Sequence, residues 1–105
     1  MTRELKVKKN KEDDRMVVTV EGRIDANTAV NLDKELSAAV TEAKTLILDF
    51  DRLEYISSAG LRVLLGASKA VRKNGGDIKI INVGENIIEI FAVTGFTNKL
   101  DITKK

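Results

Sequence analysis

The stretch LILDFDRLEYISSAGLRVLL, residues 46–65, decides the fold because it joins an apolar strand to an amphipathic helix. Residues 45–50 form a short, nearly continuous apolar run, which is typical of a central strand covered on at least one face. The segment DRLEYI, which is partly apolar as well, is then expected to cross over from this strand to the helix. From Gly60 to about residue 73 the apolar spacing is helical, and Asn74-Gly75-Gly76 is a stop signal.

Strands and a helix precede this stretch. An edge strand is predicted in ELKVKK, residues 4–9, and a β-rich strand over residues 15–22, with the polar segment NKEDD as the turn between them. Apolar residues at three- and four-residue spacing predict an amphipathic helix within residues 25–43. Asp25 and Thr28 are both capping candidates near its start.

After the stretch come an alternating strand, an apolar helix and a last short strand. DIKIINV, residues 77–83, alternates as a strand; ENIIEIFAVTGF is a helix that ends near Gly95; KLDIT, residues 99–103, adds an edge strand. The order β-β-α-β-α-β-α-β predicts one α/β domain over residues 1–105. Strands joined through helices should run mainly parallel, the first two should pair antiparallel, and a layer of helices should cover this mixed sheet.

The composition excludes several classes of function. The 105 residues contain neither cysteine nor histidine, so a Ser-His-Asp triad, a Cys-His pair and a zinc site built on these residues are excluded. The net charge of +2 gives no reason to expect direct nucleic-acid binding. No P-loop sequence follows Gly60 and Gly66, since Gly-Lys-Ser/Thr is missing. We expect no cofactor and no metal.

The sequence also favours a location inside the cell. No apolar run approaches the roughly 18–20 residues that a membrane span needs. The N-terminal sequence MTRELKVKKNKEDDR alternates charged and isolated apolar residues and lacks the core of a signal peptide. We therefore expect a cytoplasmic protein without a membrane span.

Ser57 and Ser58 are open to two interpretations. Serine is a preferred N-cap, so either hydroxyl could serve only to begin the helix. A phosphoryl group on a serine at the same place would meet backbone N–H groups without intrahelical partners and the positive end of the helix dipole, with Arg62 close in sequence. The two serines alone do not separate these interpretations.

The whole chain resembles a stand-alone STAS domain of the bacterial anti-sigma factor antagonist (anti-anti-sigma factor) family. The segments that carry the resemblance are VTVEGRIDANTA, LILDFDRLEYISSAGLRVLL, and GGDIKIINV followed by FAVTGF. The central motif is an apolar strand with aspartate, a short crossover and then x-Ser-x-Gly-Leu at the start of a helix. In isolation Ser-x-Gly-Leu would carry no information; the combination and the order of elements do.

The resemblance implies regulation by partner switching. Unphosphorylated members of the family bind an anti-sigma factor, which is also a serine kinase of the histidine-kinase-like ATPase type, and so free a sigma factor. The kinase phosphorylates the antagonist and blocks binding until a metal-dependent serine phosphatase removes the phosphate. We expect no enzymatic activity of this protein, because its sequence has neither a P-loop nor a recognisable metal-ligand cluster. It would be the substrate of its partners.

The family motif also assigns residues. The phosphorylated serine is two before the motif glycine, which makes it Ser58, followed by Gly60 and Leu61. Ser57 stands where the family often has aspartate, and it is the alternative acceptor. Asp25 matches a family aspartate near the phosphorylation site. The predicted partner-binding residues are Asp25, Ser57, Ser58, Gly60, Leu61 and Arg62.

Two other functions remain open from the sequence. The same fold could be a non-switching scaffold, in a signalling assembly or as the accessory subunit of a lipid or anion transporter. An enzyme using Asp25 with Asp49 or Asp51 is the weaker alternative, because no activated nucleophile is visible. We interpret Asp49 as structural. A hydroxyl at Ser58 favours the switch over the scaffold, since alanine or aspartate there would leave nothing to phosphorylate.

Overall fold

The computed structural model describes residues 5–105. Glu4, the first residue of the predicted edge strand, and the three residues before it lie outside the described residues. The strands are β1 (Lys6–Glu12), β2 (Arg15–Ile24), β3 (Thr45–Asp49), β4 (Leu53–Ile56), β5 (Asp77–Val83) and β6 (Asp101–Lys104). The helices are α1 (Thr28–Glu42), α2 (Ser58–Lys73) and α3 (Glu85–Val93).

The sheet is mixed, as the element order predicts. Its order is β1-β2-β3-β5-β6, and β4 pairs with β2 off this path. β1 and β2 are antiparallel, while the pairs β2–β3, β2–β4, β3–β5 and β5–β6 are parallel. The predicted α/β fold and its strand directions are therefore confirmed.

Residues 53–56 differ from the prediction, because they form a strand where a crossover was expected. β2 pairs with β3 along its first half and with β4 along its second half, after a register shift between Gly22 and Arg23. Gly22 has a φ of 99°, a backbone conformation that side chains with a Cβ rarely adopt, and this lets β2 bend from one partner to the next. With only four residues, β4 is too short to be predicted from an alternation of apolar and polar residues.

Other boundaries shift by a few residues. β1 continues through Glu12, so most of the predicted polar turn is strand and only Asp13 and Asp14 turn the chain. β2 continues past Gly22 to Ile24, and α2 begins at Ser58 instead of Gly60. The last shift matters for function, because it moves Ser58 from the connection into the first turn of the helix.

The core lies between the sheet and the helices. In β2 the buried residues Met16, Val18 and Val20 alternate with half-buried ones, so one face of the strand is covered. α1 and α2 pack against each other and over β2, β4 and β5, and α3 packs on β4. Within residues 5–105, none of the helices combines the length and apolar character needed to cross a membrane.

Candidate functional site

The ends of β2 and β4 bring two loops of the chain together. Ile24 and Ile56 are partners in the parallel pair, and the Ser57 N–H donates to the Ile24 carbonyl at 2.8 Å. Asp25 follows β2 directly, and Ser57 and Ser58 follow β4 directly. The pairing of β4 with β2 therefore brings the start of the Asp25 loop next to the two serines.

The two serines have different environments. Ser57 is the N-cap of α2: its Oγ accepts from the Gly60 N–H at 3.3 Å, and its carbonyl accepts from the Leu61 N–H at 3.0 Å. Ser58 is the first helical residue and is exposed, and its hydroxyl has no hydrogen-bond partner within the part of the chain that is described. The capping role thus belongs to Ser57, which leaves the Ser58 hydroxyl available.

Gly60 and Leu61 are buried at the start of α2, beneath the exposed Ser58. A Cβ on Gly60 would come within 2.5 Å of Ile24 Cγ2 and 2.7 Å of Ile56 Cγ1, so the helix can approach the two strand ends only with glycine here. Leu61 is buried with 2% of its surface exposed. Both residues hold the start of α2 in place, whereas Arg62 is exposed. Partner binding by Asp25, the two serines and the start of α2 stays a prediction.

Asp25 begins α1 through a reciprocal set of hydrogen bonds. Its Oδ1 accepts from the N–H groups of Asn27 and Thr28, both at 2.9 Å, and the Thr28 Oγ1 accepts from the Asp25 N–H at 2.8 Å. The bond from the Thr28 N–H contributes most to lowering the pKa of Asp25, and the charge of Arg23 contributes in the same direction. Both predicted capping residues therefore bond around the turn that leads into α1, although the residue directly before the helix is Asn27, whose side chain makes no capping bond.

The lowered pKa of Asp25 predicts a pH dependence of stability. A carboxyl whose pKa is lower in the folded than in the unfolded state stabilises the fold above its unfolded pKa, and this contribution is lost as the pH falls through the folded value. We expect the melting temperature of wild type to exceed that of Asp25→Ala at pH 7, and the difference to shrink at acidic pH. Asp25→Asn, whose amide oxygen can still cap α1, should depend less on pH. An unchanged difference across the acidic range would contradict this account.

The sequence did not point to Arg23 and Tyr55, which adjoin the two loops. They are cross-strand partners of β2 and β4, and the Arg23 guanidinium carbon lies 4.5 Å from the centre of the Tyr55 ring. Asn86, at the start of α3, donates its Nδ2 to the carbonyl of Glu54 in β4 at 3.0 Å. Only recognition of residues 53–56 as a strand would have placed Tyr55 beside Arg23.

Asp49 has a structural role, as predicted. Its Oδ1 accepts from the Asp51 N–H and from Asn82 Nδ2, both at 3.0 Å, and so ties the end of β3 to β5. In residues 5–105 no three histidine, cysteine or acidic side chains are grouped so as to hold a metal ion.

The sequence and the fold match proteins of known type. The STAS domain family model matches residues 5–105. The anti-sigma-B factor antagonist of Bacillus subtilis is 33% identical over 99 residues, which cover 94% of this chain and 89% of that protein. A solved anti-sigma factor antagonist from Mycobacterium paratuberculosis superposes with a TM-score of 0.86 at 22% identity, over 96% of this chain and 86% of the other.

A second solved relative is the Bacillus cell fate determinant SpoIIAA, an anti-sigma factor antagonist. Its phosphorylated form superposes with a TM-score of 0.72 at 17% identity, covering 96% of this chain and 92% of the other. Its unphosphorylated form gives a TM-score of 0.80 at 17% identity, covering 95% and 90%. At these identities the two superpositions establish a shared fold.

The chain belongs to the STAS domain family. The relatives reported above are named as antagonists of anti-sigma factors.

Proposed function

We propose that this protein is an anti-sigma factor antagonist whose binding is switched off by phosphorylation of Ser58. The unphosphorylated protein binds an anti-sigma factor and so releases a sigma factor in the cytoplasm. The anti-sigma factor is also the serine kinase, of the histidine-kinase-like ATPase type, and a metal-dependent serine phosphatase restores the active form. The relatives named as anti-sigma factor antagonists support the binding role.

The observation that supports the proposed switch is that the two serines have different structural roles. Ser57 caps α2, so Ser58 can be modified without removing the cap. The exposed Ser58 hydroxyl lies beside the Asp25 loop, because β2 and β4 end together. A phosphate on Ser58 would therefore change the charge at the centre of the surface formed by Asp25, Ser57, Ser58 and Arg62.

The free domain can accommodate this phosphate. Ser57 satisfies the N–H groups of Gly60 and Leu61, whereas those of Ser58 and Ala59 have no acceptor within residues 5–105. These N–H groups and the positive end of the helix dipole favour an anion. Arg62, one helical turn after Ser58, can pair with a phosphate on the same face of α2. Phosphorylation should barely move the backbone of the free domain, so it should lower the affinity for the partner without changing the fold.

Phosphate mapping tests the assignment. Each purified histidine-kinase-like ATPase of the source organism is incubated with this protein and ATP, and the modified residue is located by mass spectrometry. We expect one kinase to transfer the γ-phosphoryl group of ATP to Ser58 Oγ, with ADP released, and Ser58→Ala to remain unmodified. Phosphate on Ser57 alone would contradict the assignment, and no modification by any of these kinases would contradict the switch.

A further inference from the structure

The exposed Arg23 lies over the half-buried Tyr55 next to the candidate site. The register shift after Gly22 sets Arg23 opposite Tyr55, and the guanidinium carbon lies 4.5 Å from the ring centre. The Arg23 carbonyl is also held, since it accepts from Thr28 Oγ1 at 2.8 Å. Because side chains alternate along a strand and Ile24 faces Gly60 of α2, Arg23 lies on the opposite face of β2.

Together with the bond from the Thr28 N–H, Arg23 lowers the pKa of Asp25. It also contacts the Tyr55 ring, but within the described chain it has no salt-bridge partner. The Asp25 Oδ1 is occupied by the N–H groups that begin α1, and Arg23 forms no salt bridge with any residue in 5–105. The contact with Tyr55 restrains the Arg23 side chain and so reduces the side-chain freedom lost on binding. Because Arg23 is exposed, the pair presents a cation to solvent.

We propose that Arg23, oriented by Tyr55, is a specificity-determining contact for a carboxylate on the anti-sigma factor. A planar guanidinium held in one orientation matches the two oxygens of an Asp or Glu side chain. Arginine and tyrosine are also the residue types that contribute most often to binding hot spots. This inference rests on the proposed function, and it adds a partner contact outside the residues that the family motif assigns.

The Arg23 contact should change the affinity between this protein and the kinase, and not the transfer of the phosphoryl group. Arg23 lies on the β2–β4 pair, away from the Ser58 hydroxyl at the start of α2. Replacing Arg23 should therefore raise the KM for phosphorylation of Ser58 and leave kcat almost unchanged. A residue that only supports the fold would instead change the melting temperature, without separating KM from kcat.

Binding of the variants to the purified kinase that phosphorylates Ser58 tests the proposal. We expect Arg23→Gln to weaken binding by about 30-fold or more, Arg23→Glu to weaken it further, and Arg23→Lys to fall between wild type and Arg23→Gln. Tyr55→Leu should weaken binding by several-fold, whereas Tyr55→Phe keeps the ring and should bind as wild type.

Lys11→Gln is the matched control. Lys11 is also exposed, but it lies opposite Met16, seven residues or about 23 Å from Arg23 along β2. If Arg23→Gln and Arg23→Glu bind like Lys11→Gln, the inference is wrong while the proposed function stands. If no kinase phosphorylates wild type on Ser58, the proposed function fails and this inference falls with it.

Discussion

Ser58→Asp should bind the anti-sigma factor several-hundred-fold more weakly than wild type, while melting as a normal cooperative domain. The carboxylate imitates part of the phosphate charge at an exposed position where the free domain tolerates an anion. In the complex the same charge loses water and faces the partner surface. A penalty of about 3–4 kcal/mol is enough, since about 1.4 kcal/mol changes the affinity tenfold.

Ser58→Ala is the matched variant, and it should bind constitutively whether or not ATP is present. Ser57 keeps the cap of α2 in both variants, so neither change should cost more than a few tenths of a kcal/mol in stability. Titration calorimetry with the anti-sigma factor measures the affinities, and thermal unfolding checks the fold. A Ser58→Asp protein that binds like wild type, or loses binding only because it unfolds, would refute a surface electrostatic switch.

Gly60→Ala should destabilise the domain by about 1–3 kcal/mol, the usual cost of overpacking a core. The added Cβ would come within 2.5 Å and 2.7 Å of Ile24 and Ile56, whose side chains are fully buried. β-branched side chains have few alternative rotamers, so the start of α2 has to move away from β2 and β4. That movement also displaces Ser58 from the Asp25 loop, and partner binding should weaken with stability.

Gly66→Ala provides the control within the same helix. A Cβ on Gly66 would have no heavy atom within 4 Å, so alanine fits without strain. Alanine favours a helix over glycine by about 0.8–1 kcal/mol, and we expect Gly66→Ala to raise stability by a similar amount. Denaturant unfolding of both variants measures the contrast. Equal effects of the two substitutions would contradict the steric explanation for Gly60.

The sequence by itself determined the layered α/β fold and the stretch that contains the proposed site. Periodicity is a local property, so the apolar run over residues 45–50 and the helical spacing after Gly60 predicted β3 and α2 without knowledge of their neighbours. Helical connections then implied parallel strands, and the structure confirms them. The motif around Ser58 likewise depends only on adjacent residues, as does the capping potential of Asp25.

Only the tertiary structure decided which groups meet. β4 has four residues, and it is a strand because β2 continues past its pairing with β3 and pairs with β4 over Gly22–Ile24. This pairing joins the Asp25 loop to the two serines and sets Arg23 over Tyr55. The division of roles between Ser57 and Ser58 likewise depends on where α2 begins. All these contacts join residues that are far apart in the chain. The free energy that stabilises them comes from packing between the elements, and a local pattern of residue types does not predict that packing.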